Sequence, residues 1–229
     1  MTESLFTPPT QRALHSHVYD ALRRAIITGV LKSGQRVNEL EVARQMQISR
    51  APIREAIRQL EQEGLLVNVP RRGTFVMSLT VDDIAEVYTL RADIESRAVQ
   101  QAMPHLTPEV FETLEGHFAR MREAAQNDDI PSLLDADIQF HRTIVETAGW
   151  PRLKRIWESF HPQTLTLYTM TTLTDWAPSV HAERHAAVLE ALRSGDPDRG
   201  VAAIREHILA VGDRVLQRTS SAAVPSIAR

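Results

Sequence analysis

The run Ser49-Arg50-Ala51-Pro52-Ile53-Arg54-Glu55-Ala56-Ile57-Arg58-Gln59-Leu60-Glu61 decides how the first third of this chain folds. At 100° per residue it forms a helix with two chemically different faces. Arg50, Arg54 and Arg58 recur at i, i+4 and i+8 as a cationic stripe, while Ile53, Ile57 and Leu60 make an apolar stripe suited to a small core. Ser49 reads as an N-cap whose hydroxyl can accept from an orphan backbone N–H. Pro52 falls in the first turn, where no intrahelical donor is lost. Arginines placed from the first turn onward meet the needs of the DNA major groove, where arginine bridges guanine bidentately. A surface helix whose arginines pair with Glu55 and Glu61 accounts for this segment equally well.

The flanking residues separate the two readings. Leu14, Val18, Leu22 and Ile26 space an amphipathic helix that ends at Gly29. Lys32-Ser33-Gly34-Gln35 makes a turn, and Asn38 can cap a short helix through Met46. Met46-Gln47-Ile48 is then the turn of a helix-turn-helix. Downstream, Leu65–Val69 and Thr74–Val76 are β-prone and are separated by Pro70-Arg71-Arg72-Gly73, a hairpin with a basic tip and a glycine free to take positive φ. Three helices and such a hairpin make a winged helix, its wing laying Arg71 or Arg72 on phosphates or into a minor groove.

Residues 14–76 resemble the winged helix-turn-helix of the GntR family of bacterial transcription regulators. The pattern Ser-Arg-x-Pro-(Val/Ile)-Arg-Glu-Ala-(Leu/Ile)-x-x-Leu-Glu-x-Glu-Gly-Leu is met from Ser49 to Leu65, and the wing motif at Arg71–Gly73. The resemblance implies DNA contacts at Ser49, Arg50, Arg54, Arg72 and Gly73. Arg44 and Arg58 are weaker candidates, for which a solvated or ion-paired role competes. Many members place an arginine directly after the glutamate that opens the second helix. Here Leu40 follows Glu39, so that contact is expected to be missing.

Charge divides the 229 residues. Residues 1–78 hold 11 Lys+Arg against 7 Asp+Glu, and residues 79–229 hold 15 against 22, so a basic head of net +4 joins an acidic body of net −7. That asymmetry fits a nucleic-acid module fused to something that does not touch DNA. There is no cysteine, which excludes disulfides and thiolate metal sites. Met1–Thr10 lacks the pattern of a secretory signal, and no apolar run approaches the ~20 residues of a membrane span. The expectation is a soluble, cytoplasmic protein of two domains, 1–78 and 79–220, with a frayed tail at 221–229.

Beyond Thr80, apolar residues recur at helical spacing without strand-like alternation. Thr80 with Asp83 opens a helix to about Met103 through a capping box. Others are expected from Thr107-Pro108 to Gln126, Pro131 to Ala148, after Trp150-Pro151 with a kink or break before Pro162, Pro178 to Ser194, and Asp196-Pro197 to Arg218. Short connections imply an antiparallel all-α bundle, so the whole chain is mostly α.

Asp137 and His141 stand at i, i+4 on one face of such a helix, where two ligands can approach one ion. His185 and His207 lie on later helices that a bundle can bring to the same point. One carboxylate and three imidazoles suit a divalent ion such as Zn, Ni or Mn. With nine histidines in the chain, most of them expected to have no metal role, the spacing alone is a weak signal and a plain Asp137–His141 helix pair accounts for it.

Residues 80–218 resemble the effector domain of the FadR subgroup, the FCD domain, on Arg91-x-x-Ile94-Glu95, Asp137-x-x-Phe140-His141, Glu183-x-His185, Leu189-x-Ala191-Leu192-x-x-Gly195-Asp196 and the late His207. The resemblance implies a divalent metal held by Asp137, His141, His185 and His207, with His181 as the substitute ligand one turn away. His15, His17, His105, His117 and His161 read as non-ligands. It also implies a small carboxylate effector (sugar acid, hydroxy acid or dicarboxylate) completing the metal's shell and contacted by Arg91. A salt bridge from Arg91 to Glu95 is the rival role. Members commonly read Gly-Asn-Pro where this chain has Gly149-Trp150-Pro151, so the indole of Trp150 is expected to reshape one pocket wall.

Together these imply a regulator, a repressor rather than an enzyme, that binds a palindromic DNA operator as a homodimer and is released by its effector. The competing readings are a metalloenzyme using open positions on an Asp/His₃ ion, and a regulator whose metal is purely structural.

Overall fold

The computed structural model describes residues 11–160 and 177–219. Expectations for the N-terminal ten residues, His161, the break at Pro162 and the tail 221–229 fall outside the described residues. The chain divides into two compact units, Met1–Met77 and Ser78–Arg229.

In the first unit, α1 (Gln11–Ile27) packs on α3 (Arg50–Gln62), and α2 (Glu39–Met46) packs beside α3. Val18, Leu22, Ile26 and Ile27 of α1 are buried, as are Ile53, Ile57 and Leu60 of α3. Burying each of the larger side chains is worth about 1.5–3 kcal/mol, and this apolar stripe turns the arginine face outward. The Asn38 side chain accepts from the Leu40 N–H and starts α2. Gln47, at φ +55, closes that helix and makes the turn into α3. Ser49 is the N-cap of α3 by backbone conformation, but its hydroxyl makes no capping bond.

The wing is a sheet of three strands rather than a two-stranded hairpin. β2 (Leu66–Val69) and β3 (Gly73–Val76) pair antiparallel with Val67 opposite Phe75, and β1 (Arg36–Val37) adds to the far edge of β3 with Arg36 opposite Phe75. Two residues carry no period-2 signal, so only the tertiary pairing defines β1. At the tip both Arg71 (φ +62) and Gly73 (φ +110) take positive φ.

The second unit is helical: α4 (Val81–Ala102), a 3₁₀ turn (Met103–His105), α5 (Pro108–Gln126), α6 (Ile130–Thr147), α7 (Pro151–Glu158), α8 (Pro178–Arg193) and α9 (Pro197–Thr219). The Thr80–Asp83 capping box is formed. α6 begins one residue before Pro131, and Asp129 caps it by accepting from the Ser132 N–H. The α4–α9 and α5–α6 pairs are the most extensive packings, and α8 lies against α5, α6 and α9. Gly212 lets α9 close on α4; a Cβ there would sit 2.7 Å from the Tyr88 Cβ. Among the described residues no helix is long and apolar enough to cross a membrane.

Candidate DNA-reading face and metal centre

The exposed face of α3 presents Arg50, Arg54 and Arg58. Arg50 and Arg54 do not pair with Glu55 and Glu61. Both converge on Glu39 of α2, with Arg50 Nη2 2.9 Å and Arg54 Nε 3.1 Å from Glu39 Oε2. Partial burial pushes the Glu39 carboxyl up, but the two arginines outweigh it and hold the group below its ordinary value. Glu61 instead accepts from the Thr74 hydroxyl, tying α3 to β3. Arg44 pairs with Glu41 of its own helix. Ser49 is exposed at the start of α3, and Leu40 is 60% exposed where many GntR members carry arginine. Arg72 is exposed at the wing tip, its guanidinium 5.8 Å from the Phe75 ring centre. Against Gly73 lies the guanidinium of Arg36, which would be 3.1 Å from a Cβ there. Arg36 is thus a further exposed cation beside the wing. Sequence reasoning passed over it because nothing marked it as part of the sheet.

In the helical unit the structure gathers Asp137 and His141 of α6, His185 of α8 and His207 of α9. All four are buried, and their candidate ligand atoms lie within 4.8 Å of one another. The Nε2 of His185 is 3.0 Å and the Nε2 of His141 3.9 Å from Asp137 Oδ1. The His185 approach is short but not aligned as a hydrogen bond. Nε2 of His141, Nε2 of His185 and Nδ1 of His207 are all buried without a hydrogen-bond partner. Buried polar nitrogens are ordinarily satisfied, and three orphaned nitrogens facing one carboxylate are the donor set a divalent ion takes.

Protonation states agree. Burial, partly offset by Asp137, pushes the His185 imidazole down to about 4. Burial, together with the neighbouring His185 and His141, pushes His207 well below its ordinary value. Both are therefore neutral near pH 7, with lone pairs to offer. Burial pushes the Asp137 carboxyl up, but the hydrogen bond from His181, the close approach of His185 and the nearby imidazoles outweigh it, holding the group well below its ordinary value. The donors present fit a divalent cation.

Around this set stands a second layer. Glu95 of α4, 1% exposed, accepts from His141 Nδ1 at 2.5 Å through Oε2. Its Oε1 accepts from Arg91 Nε at 2.5 Å and from Trp157 Nε1 at 2.9 Å. Burial alone would raise the Glu95 carboxyl, yet Arg91, His141 and Trp157 bring it down to about 2. As a carboxylate it accepts the Nδ1–H of His141 and so turns the Nε2 lone pair inward. His185 is fixed in the same sense, its Nδ1 lying 3.3 Å from the carbonyls of His181 and Ala182. Arg91 is 6% exposed and makes the salt bridge to Glu95. His181, 1% exposed, donates from Nε2 to Asp137 Oδ1 at 2.9 Å.

Elsewhere His117 is held by Arg120, His15 is half-buried, and His17 and His105 are exposed. Trp150 does not wall the cluster: it is 43% exposed, with Arg97 over its ring at 5.2 Å. The indole that meets the site is Trp157, one helix further on. Glu95 and Trp157 were missed as site residues because their links to His141 and to each other span 46 and 62 residues.

Comparison with known proteins follows this division. Residues 14–76 match the model described as "Bacterial regulatory proteins, gntR family", and residues 86–210 match the FCD domain. The chain is 31% identical over 201 residues, 88% of each protein, to the "Probable D-xylose utilization operon transcriptional repressor" of Paenarthrobacter nicotinovorans. It is 24% identical to the "HTH-type transcriptional repressor RspR" of Escherichia coli strain K12, covering 95% of each. The solved structure of E. coli McbR/YncC shares the fold with a TM-score of 0.71, at 22% identity, covering 90% of this chain and 98% of that one.

Proposed function

Since the chain belongs to the GntR family of bacterial regulatory proteins and carries an FCD domain, we propose that it is a homodimeric repressor released from its operator by a small carboxylate bound at a divalent ion. Ligand-responsive DNA-binding transcription regulation, not catalysis, is what family and relatives have in common. The observation that carries the finer reading is the set of three orphaned, buried imidazole nitrogens facing Asp137. Asp137, His141, His185 and His207 would hold the ion, of the Zn, Ni or Mn type that N/O donors favour. When bound, the ion supplies a Lewis-acid anchor for a ligand oxygen. Arg91 adds charge and direction: its Nε is engaged by Glu95, and the guanidinium fork suits a carboxylate bidentately. Sugar acids, hydroxy acids and dicarboxylates are the effector classes of that chemistry. One relative is named as a probable repressor of a D-xylose utilization operon, so acids of the sugar series are the first to test.

On the DNA side, Arg50 and Arg54 enter the major groove, Ser49 stands at the helix start, and Arg72 with the close-packed Gly73 follows the adjacent backbone. Glu39 holds the first two guanidinium groups in a defined pose before contact. Two such heads on a two-fold axis read half-sites about 34 Å apart, and phosphate neutralisation makes binding fall steeply with salt. Effector binding shifts the dimer between arrangements only by its differential affinity for them.

The test is a thermal-shift and operator-binding screen of these acids with and without a chelator. A stabilising acid that also releases the operator, both effects lost on chelation or in His185→Ala, supports the proposal. Stability that collapses on chelation while no acid alters operator binding would make the metal purely structural.

A further inference from the structure

Resting on the ion reading above, we propose that His181 is the positioning residue of that site: its Nε2–H fixes the Asp137 carboxylate toward the ion, and His181 is not itself a ligand. His181 precedes His185 by one turn of α8, and both imidazoles reach Asp137 Oδ1, at 2.9 and 3.0 Å. They do different things there. His185 has its Nδ1 directed to backbone carbonyls of its own helix and its Nε2 orphaned, and its ring centre lies 5.4 Å from that of His141 and 4.4 Å from that of His207. His181 uses its Nε2 as a hydrogen-bond donor to the carboxylate, and that atom falls outside the convergent four-atom set.

Asp137 has need of such a donor. An aspartate carboxylate turns in a broad torsional well about its last bond, so a neighbour must select which oxygen faces the ion. Asp137 is 3% exposed, so bulk solvent does not make that choice. The partner of His141 is Glu95, reaching in from α4; the partner of Asp137 is His181, reaching in from α8. Each α6 ligand thus has its own outer residue, one accepting from an imidazole and one donating to a carboxylate. To become a ligand, His181 would have to turn its Nε2 lone pair inward and abandon Asp137.

The experiment titrates the full-length, chelator-stripped chain with Co²⁺ alone, comparing wild type, His181→Ala and His181→Gln. Affinity is read by calorimetry and coordination by visible absorption of the saturated protein. Losing an outer partner of this kind costs about 10–100-fold in metal affinity. His181→Ala is expected to show that loss with one ion per chain and an unchanged absorption spectrum. Glutamine, whose amide N–H extends to about the place of the imidazole Nε2, is expected to restore binding close to wild type. If the alanine variant does not fold, the glutamine variant decides by the same two readouts. Equal affinity in alanine and wild type overturns the proposal. So does a changed spectrum with glutamine no better than alanine, which would make His181 a ligand. Failure of wild type to bind Co²⁺ removes the ion reading itself, a result distinct from either.

Discussion

Replacing Glu95 by glutamine tests the buried polar layer at its centre. Three donors converge on this carboxylate: Arg91 Nε and Trp157 Nε1 on one oxygen, His141 Nδ1 on the other. A glutamine side chain has one accepting oxygen and one donating nitrogen, so in either orientation it sets a donor against a donor. With the amide nitrogen toward His141, the imidazole must accept at Nδ1 and carry its proton on Nε2, aimed where a metal ligand needs a lone pair. With the amide turned round, Arg91 and Trp157 face an N–H₂, and a buried guanidinium loses its counter-charge. Breaking a buried ion pair from one side costs about 3–5 kcal/mol. The carboxyl itself gives a similar figure: a fall from 4.5 to about 2, at about 1.4 kcal/mol per pH unit, is worth about 3 kcal/mol. Because the folded value is depressed, this stabilisation is complete above about pH 4.5 and is lost as the pH falls toward 2. Urea unfolding of chelator-treated wild type and Glu95→Gln, followed by far-ultraviolet circular dichroism near pH 7, should show that loss, with metal affinity reduced at least 10-fold. A variant within about 1 kcal/mol of wild type that binds metal equally well would refute the assignment of Glu95 as the residue orienting His141.

Arg54→Ala should cost about 1–3 kcal/mol of discrimination between operator and unrelated DNA in competition binding, while its exposed ion pair with Glu39 contributes at most about 1 kcal/mol to folding; an equal loss on every sequence would make Arg54 a phosphate contact instead. In chelator-treated protein, stability should decline as the pH drops from about 6.5 toward 4, because unfolded His185 takes up a proton that the folded residue, at about 4, refuses. His207 acts in the same direction, and an unfolding midpoint level across that window would contradict both assignments. Gly212→Ala should lower stability by about 1–3 kcal/mol, since its Cβ would meet the Tyr88 Cβ at 2.7 Å with no flexible end to yield. Gly116→Ala, with nothing within 4 Å on α5, should instead raise it by about 0.5–1 kcal/mol; a melting comparison separates the two.

The helices were legible because their signals are local. The 3.6-residue spacing of Val18, Leu22 and Ile26, the Asn38 cap and the Thr80–Asp83 box are each complete within a few residues of chain. Features made by pairing at a distance left no such mark: β1 is two residues long and exists by its bonds to β3, and Glu39, not Glu55 or Glu61, receives the arginines of α3 across the helix-turn-helix. The candidate metal centre follows the same rule. Asp137 and His141 could be placed on one face from their spacing alone, whereas the approach of His185 and His207 depends on how α8 and α9 pack. Trp150 and Trp157 show the limit most clearly. Trp150 attracted notice by standing in a motif position, yet the buried donor is Trp157, whose neighbours in sequence say nothing about Glu95.

Sequence reasoning set two roles for Arg91 against each other, a salt bridge with Glu95 or a contact with an effector. The geometry makes them compatible. Glu95 spends one oxygen on Arg91 and the other on His141, so a single carboxylate joins the arginine proposed to meet an effector to an imidazole proposed to hold the ion. A ligand carboxylate that draws on the Arg91 charge weakens its hold on Glu95 Oε1, leaving more negative charge for the His141 bond at Oε2. That makes His141 the stronger donor. Effector and ion are therefore expected to favour each other's binding, and linkage requires the coupling to be reciprocal: the factor by which an acid tightens metal binding equals the factor by which the metal tightens the acid. Paired titrations of wild type and Glu95→Gln that give the same factor would mean that the path through Glu95 carries no coupling and that effector and ion are linked by direct contact alone.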